Sequence, residues 1–167
     1  YQNPFEFAIS GITEEELITK LVNTPDESDE VYRLVKSRGT AQSIFRKALL
    51  KAYGKCAFCG IDFEVVLEAA HIIPWSKSNS NQKVDVRNGL LLCSNHHKLF
   101  DKYWITINSQ FEIKYKDMLE EEGEYQEVDR RLTINLHGTK IFLPENRNLH
   151  PKLEYLNFRM DEIEASV

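Results

Sequence analysis

Two short turns of the chain carry ligands that suit a soft metal ion. Cys56-Ala57-Phe58-Cys59 sets two thiolates at C-x2-C spacing, and Cys93-Ser94-Asn95-His96 repeats the spacing with a thiolate and an imidazole. Ligands so spaced sit on one turn and can reach one ion. Two such knuckles supply four ligands, the number a closed tetrahedral zinc site takes. Gly60, just past the first pair, lets the backbone turn sharply. A lone C-x2-C can instead be a redox pair, but no βαβ pattern surrounds this one, and that reading leaves the second knuckle unexplained. Structural zinc on Cys56, Cys59, Cys93 and His96 is therefore expected, and it would stabilise a small core. Three cysteines do not suggest a disulfide framework. They point to a reducing, cytoplasmic setting.

A second group of residues lies between and beside the knuckles. Ala69-Ala70-His71-Ile72-Ile73 ends in Pro74, and Asp85-Val86-Arg87-Asn88-Gly89-Leu90-Leu91-Leu92 runs into Cys93. His97 follows His96, within His-His-Lys-Leu-Phe-Asp. Taken singly, a histidine at a strand end is more often structural than catalytic. Taken together and in this order, the motifs resemble the HNH endonucleases, also called His-Me finger or ββα-metal nucleases, in a restriction-type variant. The resemblance is strongest over residues 38–107, with a weaker likeness around 138–144 and His150-Pro151.

That resemblance implies a set of roles. His71 would be the general base, a task that neutral imidazole with an ordinary pKa near ~6.5 can perform. Asn88 would brace the loop, since its amide offers donors and an acceptor without titrating. His97 would bind a catalytic divalent ion. Adjacent helical residues point about 100° apart, so His96 can face the zinc while His97 faces the catalytic ion. Asp101 lies at i+4 from His97 and shares its face. It is a candidate second ligand, with a plain surface carboxylate as the equal alternative, and oxygen ligands suit Mg²⁺ or Mn²⁺. Many family members carry an acid directly before the base, whereas this chain has Ala70. Glu68 alternates onto the same strand face as Ala70.

The elements that must position these residues can be read from period and punctuation. Residues 1–12 look irregular, around Pro4, Phe5 and Phe7. Thr13 and Glu16 form a capping-box pattern ahead of Leu17, Ile18, Leu21 and Val22. Further helices are expected over 28–37 and 41–52, the latter closed by Gly54. A strand is expected over 65–73 and a helix over 95–102 capped by Ser94. A hairpin is expected from 104–107 to 111–115, a strand pair from 132–136 to 140–143, and a closing helix over 152–163. The implied fold is α+β: N-terminal helices leading into a zinc-stapled ββα-metal core with extra C-terminal strands. Residues 1–40 would be a helical arm or linker, and 41–167 the HNH nuclease domain with its C-terminal extension.

Net charge is −5, but it is unevenly spread. Residues 31–61 hold seven basic side chains and no acidic one, while the acidity gathers in 112–129 and 161–164. A basic middle can face a polyanion, though such a run is also an ordinary solvated helix face. Lys77, Lys83, Arg87, Lys98 and Lys102 surround the motifs and are candidates for phosphate contacts. Trp75 and Trp104 are expected to pack in the core. No run of about 18 apolar residues suggests a membrane span, and residues 1–10 show no signal-peptide pattern.

The function these features imply is metal-dependent hydrolysis of DNA phosphodiester bonds, with restriction or anti-phage defence as the setting by resemblance. Sequence specificity would then reside in a further domain or a partner subunit. The alternatives are a catalytically inactive, zinc-stabilised nucleic-acid-binding module, for which Ala70 is the best argument, and a protein-interaction domain using the acidic C-terminal third.

Overall fold

The structure, a computed structural model, describes residues 11–166. The irregular opening expected around Pro4, Phe5 and Phe7 lies outside the described residues. Helix α1 (Glu14–Asn23) begins at Thr13, whose hydroxyl accepts from the Glu16 amide while the Glu16 carboxylate accepts from the Thr13 amide. Helix α2 (Ser28–Leu34) is followed by α3 (Arg38–Tyr53), longer than its apolar stripe predicts. Gly54 ends α3 in the left-handed conformation, φ 71°, which a residue without Cβ adopts freely.

Strand β1 (Leu67–His71) pairs antiparallel with β2 (Gly89–Cys93), with His71 opposite Gly89 and Leu67 opposite Cys93. Helix α4 (Ser94–Asp101) follows directly, so β1, β2 and α4 form a ββα unit. Ser94 is its first residue and does not cap it. Its hydroxyl bonds the Glu68 carboxylate instead, at 3.0 Å. The hairpin β3 (Ile105–Ile107) and β4 (Ile113–Tyr115) forms where expected.

The strand pair expected over 132–143 is not formed. Gln126 and Asp129 make a reciprocal cap that starts helix α5 (Glu127–Leu132), and a 3-10 turn, Ile134–Leu136, continues from it. Residue 140 bridges Glu112 on the hairpin instead. The apolar alternation in 132–136 is overridden by the cap upstream of it. Helix α6 (Leu153–Ala165) closes the chain. No helix among the described residues is long and apolar enough to cross a membrane.

Alternation along β1 decides what each face meets. Ala69 and His71 share the face toward α3, whose Phe45 stacks on the His71 ring at 4.3 Å between centroids. Glu68 and Ala70 share the other face, where Glu68 meets His97 of α4. The core lies between these layers, built from Ile44, Phe45 and Leu49 of α3, Leu90, Leu91 and Leu92 of β2, and Phe100 of α4. Leu17 and Leu21 carry α1 into the same core, against α3.

Candidate active site and metal centre

The two knuckles converge. The ligand atoms of Cys56, Cys59, Cys93 and His96 all lie within 4.8 Å of one another. The Cys59 and Cys93 sulfurs are 3.9 Å apart. With metal–sulfur bonds of about 2.3 Å, the edge of a tetrahedron is about 3.8 Å, so the spacing fits one ion. The imidazole is prepared for it as well. His96 Nε2 lies 2.7 Å from the Leu132 carbonyl, which can only accept, so Nε2 carries the proton. Nδ1 then turns its lone pair to the sulfurs of Cys93 and Cys56, at 3.2 and 3.6 Å. A hydrogen bond from the far ring nitrogen is the usual way of fixing a ligating imidazole. Gly60 takes φ 77° at the close of the first knuckle, with the Phe142 ring packed over it.

On the other side of α4 lies a cleft of about 480 Å³. It is lined by Gln42, Ala69, His71, Pro74, Trp75, Ser76, His97, Asp101, Tyr103 and Arg159. His71 and His97 are thus brought to one space, together with Asp101. Asn88 does not line it but holds its frame. Fully buried, Asn88 accepts from the Ile73 amide at 2.9 Å and donates to the Gln82 carbonyl at 3.0 Å. Its own carbonyl accepts from the Ile72 amide, so both ends of the loop leaving β1 are tied to one residue.

His71 is held in one tautomer. Its Nε2 donates to the Lys83 carbonyl at 2.8 Å, which leaves Nδ1 as the unprotonated nitrogen. Burial between Phe45 and the edge of Trp75 pushes its pKa down to about 4, so the ring is neutral at physiological pH. His97 faces two carboxylates. Its Nδ1 lies 2.6 Å from Glu68 Oε2, and its Nε2 lies 3.2 Å from Asp101 Oδ2. Burial alone would raise the Glu68 carboxyl pKa, but the bonds from His97 and Ser94 bring it below its ordinary value. A neutral His97 that donates through Nδ1 points its Nε2 lone pair at Asp101. Two acceptors at that separation call for a positive charge between them, a proton or a metal ion. Where a divalent cation is bound in the cleft, His97 and Asp101 are the residues that would hold it, with Glu68 behind the imidazole. Ala70, fully buried, packs in the core.

The five basic candidates lie elsewhere. Lys77 pairs with Glu162. Lys83 reaches the Trp75 carbonyl at 3.1 Å and lies over that indole ring. Arg87 is clamped by Asp85 and Asp26. Lys98 and Lys102 are exposed and border other hollows. The cation that does line the cleft is Arg159, from the last helix. A lone arginine in a charged helix carries no sequence signal of that placement. Trp75 lines the cleft, and Trp104 packs near Tyr115.

Comparison with known proteins agrees with the motif reading. Residues 56–108 match the family described as HNH endonuclease. This stretch holds both knuckles, His71, Asn88, His97 and Asp101, and over it the HNH resemblance is borne out. Among solved structures, the modification-dependent TagI restriction endonuclease is similar, with a TM-score of 0.45 and 18% identity over 71% of this chain. The chain spans 36% of that enzyme's length. No curated protein matches.

Proposed function

We propose that this chain is a divalent-metal-dependent endonuclease that hydrolyses DNA phosphodiester bonds in restriction or anti-phage defence. The observation that carries the reading is the meeting of a neutral, tautomer-locked His71 with His97 and Asp101 in one cleft. His71 Nδ1 takes a proton from water, the water oxygen bonds to phosphorus, and a phosphorus–oxygen bond of the backbone breaks. Asn88 keeps the loop after β1 from drifting, and so keeps His71 in register with His97. A magnesium or manganese ion held by His97 and Asp101 would polarise the phosphate and stabilise the departing oxygen. Zinc on Cys56, Cys59, Cys93 and His96 would be structural, since four protein ligands leave no open position.

The inactive binding module remains the second reading, because Ala70 removes a carboxylate. Asp101 answers it as the carboxylate that lines the cleft beside His97, while Glu68 orients the His97 ring. Plasmid cleavage with a panel of divalent ions separates the two. Wild type should nick with Mg²⁺ or Mn²⁺, and folded His71→Ala should lose about 10²–10⁴-fold in rate. DNA binding without cleavage under any ion would select the binding module.

A further inference from the structure

Arg159 is a cation placed where folding alone gives it little reason to be. The residue is 3% exposed, and the carboxylate whose charge reaches it is that of Asp101, across the cleft and without a contact ion pair among the described residues. Nη1 donates to the Ile72 carbonyl at 3.3 Å, and Nη2 donates to the Phe100 carbonyl. Nε is buried with no partner. The guanidinium carbon sits 3.5 Å from the centroid of the Phe100 ring and 4.7 Å from that of Tyr103. Burial lowers its pKa to about 10, which still leaves a full positive charge at neutral pH.

A buried charge with no carboxylate in direct contact is costly, and the Asp101 charge offsets that only at a distance. Two carbonyls satisfy hydrogen bonds, but they do not neutralise the ion. A role confined to tying α6 to Ile72 and Phe100 would be served by a neutral donor at lower cost. Arg159 lines the cleft that holds His71, His97 and Asp101, and none of the five basic residues nearest the motifs lines that space. After its carbonyl bonds, each terminal nitrogen keeps one N–H for a ligand.

We propose that Arg159 is the anion-binding residue of this cleft, receiving the phosphate group of the scissile phosphodiester and stabilising the negative charge that grows on it during attack. The proposal rests on the nuclease reading for the identity of the anion, but not for the existence of the anion site.

Two measurements test it. In nitrogen-labelled wild-type protein, the Arg159 Nε–H resonance should shift saturably as inorganic phosphate is added, while that of Arg87, already paired to Asp85, stays in place. In plasmid cleavage, folded Arg159→Gln should lose about 100-fold in kcat, with Arg159→Lys keeping more activity than Gln. No saturable shift overturns the proposal, and so does wild-type cleavage by folded Arg159→Gln. If both variants unfold, the wild-type titration decides. A phosphate shift in a protein that cuts no DNA keeps the anion site and removes the nuclease reading.

Discussion

Glu68 fixes the orientation of the His97 ring from the neighbouring strand. Position 70, directly before His71, is fully buried and holds alanine. Glu68 shares that strand face and accepts from His97 Nδ1, which commits Nε2 to the Asp101 side. Glu68→Ala is expected to weaken Mn²⁺ binding about 10–100-fold, as read by calorimetry, with zinc content and melting temperature near wild type. Glu68→Gln, which still offers an acceptor, should recover most of that affinity. Unchanged Mn²⁺ affinity in Glu68→Ala would remove its orienting role. The sequence put Glu68 on the right face by alternation, but its pairing with His97 depends on how α4 crosses the sheet. The Cys3His cluster was easier to read, because each pair is fixed within a single turn. Arg159 was not legible at all. Its burial is decided by contacts with Ile72 and Phe100, far away in the chain.

The site also depends on how closely α3 approaches the sheet. Gly89 sits opposite His71, and a Cβ there would lie 2.5 Å from the Phe45 ring and 2.9 Å from Leu49. Phe45 is the ring stacked on His71, so the glycine is what lets the helix press the imidazole into place. Gly89→Ala should therefore cost about 1–3 kcal/mol in denaturant unfolding by overpacking, and should lower cleavage with it. Equal stability would show that Phe45 has room to retreat. Helices α1, α3 and α6 and the hairpin were legible because their patterns are long or their turns distinctive. The stretch from 132 to 143 was misread as paired strands because its apolar alternation is short. The decisive signal, the cap formed by Gln126 and Asp129, lies upstream of it.

Across the whole molecule, one helix joins the Cys3His cluster to the cleft. His96 turns toward the knuckles and His97 toward the cleft, and α4 has only eight residues. So short a helix has little stability of its own in water. Stripping zinc with a strong chelator is thus expected to abolish cleavage even in excess Mg²⁺, with loss of cooperative melting and near one zinc per chain recovered by elemental analysis. A zinc-free protein that melts and cuts normally would sever that link. The bond from Arg159 to the Ile72 carbonyl joins residues 87 positions apart. During synthesis the ribosome releases the knuckles, the strands and α4 well before α6. A nascent chain can hold both histidines and still lack Arg159, so the cleft is complete only after α6 has been made and has docked on Ile72 and Phe100.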